Sequence, residues 1–191
     1  DVMFDEALCE QGRNFGNKIW NAYRLVNGWT ADETAPQSEN NRLAAQWFRQ
    51  VLGRTLREVA DDFRSYRISE ACTTVYRLFW DDFSAQYLEM VKPAFGQPVD
   101  RRTLDETRGF FDALMRMLHP YMPFITEEIW QDLAPRAEGE SICVAPMPEA
   151  EAADSALLAR FELVREIVSA VRNIRNQKNL PQKEQLTLQV I

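Results

Sequence analysis

The side chains best suited to chemistry lie in one short stretch, residues 13–24, with the sequence RNFGNKIWNAYR. The chemistry they suit is recognition. Read as a helix at about 100° per residue, Arg13, Asn17, Trp20, Asn21 and Arg24 gather on one side, with Lys18 at its margin. Phe15, Ile19, Ala22, Tyr23 and Val26 gather on the other. Solvated helix faces usually mix acids and bases, because oppositely charged i,i+4 pairs stabilise them, yet no acid occurs between Gln11 and Ala31. The face is therefore suited to something negatively charged. Asn amides donate and accept at once and can pair with unstacked base edges, Trp offers a ring for stacking, and Arg or Lys holds phosphate. That set fits single-stranded nucleic acid. A structural alternative stands beside it, in which Trp20 is buried against a neighbouring helix and the two asparagines have partners inside the chain.

Catalytic groups are absent by pattern. There is no Gly-rich phosphate loop and no zinc-ligand cluster, and His119, the single histidine, has no motif pairing it to Cys or Ser. It reads as a helix-terminal structural residue. Glu127 and Glu128 are adjacent, so on a helix they point about 100° apart and cannot both face one substrate atom. Their place near the start of a short helix suggests a dipole-complementing role. No catalytic residue, metal or cofactor is expected in this chain. Cys9, Cys72 and Cys143 show neither CxxC spacing nor an even count and read as reduced thiols.

Helices must position these groups. A first helix is predicted over about Asp5–Asn27, and a second from about Asn40 to Arg64 with Leu43, Trp47, Leu52, Leu56, Val59 and Phe63 inward. A third begins near Ser69, with Ile68, Cys72, Val75, Phe79, Phe83, Tyr87 and Met90 as its stripe, and ends before Pro93. A fourth runs from about Asp100 to Leu118, and a short one restarts at Pro123. After Leu133 the chain is loop-like, with Ser141–Ala145 extended. A last long helix covers about Asp154–Asn176. Trp47, Trp80 and Trp130 are assigned to packing. Leu186, Leu188 and Val190 alternate with polar residues as in a strand with no visible partner. The fold class is all-α, an up-and-down bundle of about five long helices with a short extended segment near the C-terminus.

Composition agrees with a folded chain: 191 residues, 46% hydrophobic, only seven glycines. The net charge of −7 counts against general phosphate binding, but the sum conceals a second acid-free basic stretch. Between Ile167 and Lys183 the only charges are Arg172, Arg175, Lys178 and Lys183. The first three lie at a helix C-terminus, where cations also complement the helix dipole. No apolar run reaches the roughly 20 residues of a membrane span, so a cytoplasmic protein without membrane contact is expected. The start at Asp1 and the strand-like end at Ile191 read as a domain of a longer protein.

The string RNFGNKIWNAYRLV (residues 13–26) resembles the opening helix of the anticodon-binding domain of valyl-tRNA synthetases, which are class I aminoacyl-tRNA synthetases. LHPYMPFITEEIWQDL (118–133) and VRNIRNQKNLPQKEQLTL (171–188) resemble that family's later segments, in the same order. The resemblance implies a helical domain over residues 1–178, with 179–191 starting a following segment. It implies a valine tRNA as partner, held by its anticodon stem-loop, and a catalytic domain elsewhere in the same chain that joins valine to tRNA using ATP. The HIGH and KMSKS signatures of that catalytic domain are absent here. The tRNA-binding residues expected are Arg13, Asn17, Lys18, Trp20, Asn21, Arg24, Arg172, Arg175 and Lys178. Gly16 departs from the small or thiol side chain that the resemblance implies at its position. It lowers helix stability by up to about 1 kcal/mol relative to Ala and reads as a point of close backbone approach. The same architecture in an isoleucyl or leucyl enzyme, and a helical protein-interaction or scaffold bundle, are the alternatives.

Overall fold

The computed structural model describes residues 5–150, 154–181, 184, 185 and 187. Two compact units divide it, residues 1–153 and 154–191. In the first, α1 (Glu6–Asn27) starts where the Asp5 carboxylate accepts the Ala7 amide, and it ends at Gly28. A two-residue strand β1 (Ala31–Asp32) follows, then α2 (Glu39–Arg64), capped by the Ser38 hydroxyl. Helix α3 is continuous over residues 68–91: α-helical Ile68–Arg77, π-helical Leu78–Tyr87, and α-helical Leu88–Val91. After β2 (Val99–Asp100) come α4 (Arg101–Leu118) and α5 (Pro123–Leu133), then a 3-10 turn over Ile142–Val144. The second unit holds α6 (Ser155–Gln177), capped by Asp154. It contains no second described element on which its apolar stripe could close.

These boundaries follow from local chemistry. Asp5, Ser38, Asp100 and Asp154 each accept an amide of the first turn that the helix itself leaves unpaired. Pro123 stands at the first position of α5, where a missing N–H costs nothing. The all-α reading holds, with six helices among the described residues.

The core is an aromatic cluster. Phe83 is fully buried, and its ring centroid lies 5.2 Å from Phe48, 5.6 Å from Phe79, 5.6 Å from Tyr87 and 5.4 Å from Phe111. Helices α2, α3 and α4 meet there. The Tyr87 hydroxyl sits 2.8 Å from Thr107 Oγ1, which donates its own proton to the Thr103 carbonyl, so Tyr87 is the donor. Burial pushes the Tyr87 hydroxyl far above its usual pKa, so it stays protonated and keeps that bond.

Four features depart from the sequence reading. The middle of α3 is π-wound, with the Leu88 amide bonded back to the Phe83 carbonyl, five residues earlier. Val75, Phe79, Phe83, Tyr87 and Val91 recur every fourth residue and are all buried. In an α-helix that spacing drifts by about 40° per step, and the wider turn reduces the drift. Ile68 and Met90, expected inside, are exposed at the two ends of α3. Ser141–Ala145 contains a 3-10 turn rather than an extended run. Finally, β1 and β2 pair in parallel, Ala31 with Val99 and Asp32 with Asp100, a contact too short to show as periodicity. Leu186, Leu188 and Val190, the apolar residues of the alternating run, lie outside the described residues. No described helix is long and apolar enough to cross a membrane.

Phe83→Ala should lower stability by about 3–5 kcal/mol, as expected for an aromatic removed from a packed core. Urea unfolding followed by circular dichroism measures it. A loss below about 1 kcal/mol would show that the rings do not form the packing centre.

Candidate nucleic-acid interface

Helix α1 divides as its periodicity requires. Phe15, Ile19, Ala22, Tyr23 and Val26 are buried, with Phe15 edge-on to Phe79 at 5.7 Å and Tyr23 edge-on to Phe111 at 6.3 Å. These contacts set the rotation of the helix about its axis. The opposite face then points outward, and Arg13, Asn17, Trp20, Asn21 and Arg24 are all exposed. Trp20 keeps 40% of its surface, against 2–3% for Trp47 and Trp130, which excludes the reading in which it is a core residue. Beyond their backbone bonds within α1, the side-chain amides of Asn17 and Asn21 make no hydrogen bond to another described residue. Lys18 is half-buried, with its ammonium 5.2 Å from the Trp80 ring centroid, and Trp80 stacks on Tyr76 at 5.6 Å.

The surroundings are less uniformly basic than the linear sequence suggests. Arg13 is bonded at 2.9 Å to Glu10, one turn earlier, but both side chains are more than 60% exposed, so a phosphate could displace so weak a pair. Helix α5 brings Glu128, Gln131 and Asp132 to a groove of about 410 Å³ that Trp20 and Tyr23 also line. These three residues were missed because they lie more than 100 positions away from Trp20. In the second unit, Arg175 donates to the carbonyls of Pro181 at 2.8 Å and Glu184 at 2.6 Å, so it folds the chain back after α6. Lys178 occupies the α6 C-cap, and Arg172 lies two turns earlier.

Glu127 and Glu128 do not act together. Both fall after the first turn of α5, so the dipole does not explain them. The Glu127 carboxylate accepts from Ser141 Oγ at 2.7 Å, Gln131 Nε2 at 2.8 Å and the Ile142 amide at 3.4 Å, fastening the 3-10 turn to α5. Burial pushes this carboxyl up, but the bonds from Ser141, Gln131 and Ile142, with His119 nearby, outweigh it and hold the pKa below the ordinary range. His119 caps α4, as expected of a structural residue. Its ring also stands 3.1 Å from Cys143 Sγ, a pairing the sequence did not disclose. No three His, Cys, Asp or Glu side chains converge as metal ligands among the described residues.

An exposed, amide-rich and cation-flanked helix face on an aromatic bundle is the geometry that comparison with known proteins has to explain. Residues 45–191 match the family model described as the anticodon-binding domain of tRNA ligase. The chain belongs to that family. It is similar to the valine--tRNA ligase of Parabacteroides distasonis, 60% identical over 191 residues, and to that of Porphyromonas gingivalis, 58% identical over 189. The valine--tRNA ligase of Bacillus licheniformis is 39% identical over 201 aligned residues. These alignments cover 99–100% of the chain but 22% of each relative, so the chain spans about a fifth of their length.

The anticodon-binding family match begins within α2, so α1 lies outside it and is covered by the valine--tRNA ligase relatives alone. The bundle is homologous to the anticodon-binding portion of those enzymes. At Gly16, the expected close backbone approach is not found. A Cβ added there would meet only the terminal methyl of Met122, at 3.4 Å.

Gly16→Ala should therefore stabilise the domain by about 0.5–1 kcal/mol through helix propensity, read as a higher urea midpoint at unchanged slope. Destabilisation would show that Met122 cannot move aside. The Glu127 ties should respond to acid. A carboxyl with a folded pKa below its unfolded value stabilises above the unfolded value, 4.5, and that contribution disappears as pH falls through the folded one. Amide exchange at Ile142 and Cys143, corrected for intrinsic rates, should thus accelerate as pH falls below 4.5, and Glu127→Gln should remove this acid step. Unchanged protection through that window would mean that Glu127 does not hold the turn.

Proposed function

We propose that this domain holds the anticodon stem-loop of a valine tRNA on the outer face of α1. The observation that carries this reading is the state of Asn17 and Asn21, both exposed and with side-chain amides that make no hydrogen bond to another described residue, placed before and after the exposed Trp20 along α1. In this reading the two amides meet base edges and Trp20 stacks a base. Arg13, Lys18 and Arg24 hold phosphates. Arg172, Arg175 and Lys178 supply a second basic surface, with Arg175 contributing mainly by shaping its own turn. The groove carboxylates of Glu128 and Asp132 repel phosphate and favour the amino groups of bases, so the strand runs with its backbone toward Arg24 and its bases toward Trp20.

The whole protein, in this proposal, is a cytoplasmic valine--tRNA ligase that joins valine to its tRNA using ATP. The chemistry belongs to a catalytic domain outside this chain. The recognition domain is residues 1–178, and 179–191 begin the segment that follows. The similarity to valine--tRNA ligases across the whole chain favours the valyl enzyme over an isoleucyl or leucyl one.

The test is binding of a valine tRNA anticodon stem-loop at two salt concentrations, with a stem-loop of unrelated anticodon beside it. Trp20→Ala should cost about 1–3 kcal/mol, roughly 5- to 150-fold in Kd. Asn17→Ala and Asn21→Ala should narrow the gap between the two stem-loops. Arg24→Ala should weaken both equally and flatten the salt dependence. Binding that ignores all four substitutions while keeping its anticodon preference would remove α1 from the reading surface.

A further inference from the structure

His119 and Cys143 lie 24 residues apart and form a pair that the tRNA-binding reading leaves unused. The hydrogen bonds determine which ring nitrogen carries the proton. Thr126 is fully buried, and its hydroxyl lies 2.8 Å from the Met122 carbonyl, which can only accept. The one hydroxyl proton goes there, so Thr126 Oγ1 offers a lone pair to His119 Nδ1 at 2.8 Å, and Nδ1 is the donor. Nε2 is thereby left as an acceptor, and it faces Cys143 Sγ at 3.1 Å. This is the arrangement of an activated nucleophile: thiol, base, and a third group that orients the base.

The thiol is also held in place and open. Cys143 is exposed, and its amide donates to Ser141 Oγ at 3.2 Å, within the turn fastened to α5 by Glu127. Ile142 beside it is buried. The other cysteines lack this setting. Cys9 is exposed on α1 and its thiol has no partner among the described residues, and Cys72 is half-buried, with burial pushing its thiol pKa up.

We propose that Cys143 is a modification site at which small disulfides form a mixed disulfide, with His119 as the proton acceptor. Nε2 takes the thiol proton as Sγ attacks one sulfur of the disulfide. The new bond joins Sγ to that sulfur, the original S–S bond breaks, and its electron pair leaves with the other sulfur, which recovers the proton from Nε2. One thiol is exchanged for another, and the disulfide is the oxidant. The adduct adds bulk on the 3-10 turn and removes the thiol proton that Nε2 had accepted.

The test treats the 191-residue chain with oxidised glutathione at pH 7 and follows each cysteine by peptide mass spectrometry. Cys143 should react about tenfold faster than Cys9, as a base-paired thiol does beside an unassisted one. His119→Gln should bring Cys143 down to the Cys9 rate and leave Cys9 itself unchanged. Thr126→Val keeps the side-chain shape while removing the group that fixes the tautomer, so it should also slow Cys143, and it decides the matter should His119→Gln unfold. Equal rates for Cys143 and Cys9 in the parent chain overturn the proposal. So does a Cys143 rate that neither substitution changes in a folded protein.

Discussion

Everything in the first unit depends on how the rings around Phe83 pack. Four side chains from three helices meet this one ring, and aromatic pairs at such separations add stabilisation beyond buried area. The cluster also reaches α1, through Phe15 on Phe79 and Tyr23 on Phe111. A helix gripped by two aromatic contacts two turns apart cannot roll. The direction of Asn17, Trp20 and Asn21 is thus a consequence of core packing, although none of the three is in the core. The π-wound stretch of α3 serves the same end, because it keeps Phe79, Phe83 and Tyr87 on one line facing α2 and α4.

The electrostatics of the α1 face show why whole-chain charge is a poor guide to a partner. The chain carries a net charge of −7, yet the outer face of α1 carries Arg13 and Arg24 with Lys18 at its margin, and the acid on the same helix, Glu10, is held in an exposed pair with Arg13. Exposed pairs of that kind are worth at most about 1 kcal/mol and are screened by salt. Glu128 and Asp132 give the face a polarity, with cations along α1 and carboxylates in the groove. A ligand with anionic backbone and amino-bearing bases has a reason to lie in one orientation there. A uniformly basic patch would bind more tightly and discriminate less.

The junction after α4 shows how few contacts organise a connection. Thr126, buried under the first turn of α5, fixes His119, and Glu127, the next residue, fixes the turn that carries Cys143. One stretch of α5 thereby positions both members of the His119–Cys143 pair. Packing that would otherwise be only structural leaves a thiol facing a ring nitrogen.

The sequence by itself determined what depends on neighbours along the chain. The starts of α1, α4, α5 and α6 were legible because Asp or Pro stands where the first turn leaves amides unpaired. The two faces of α1 were legible because 3.6-residue periodicity separates Phe15 and Ile19 from Asn17 and Asn21. Even the π-wound segment left a trace, in aromatic residues every fourth position. Only the tertiary structure decided what depends on distant parts of the chain meeting. The β1–β2 pair, the Glu128 and Asp132 groove beside Trp20, and the approach of Cys143 to His119 join residues 24 to more than 100 positions apart. No local pattern encodes such a meeting, because it is fixed by which helix packs on which and at what rotation, and here that was settled by the aromatic core.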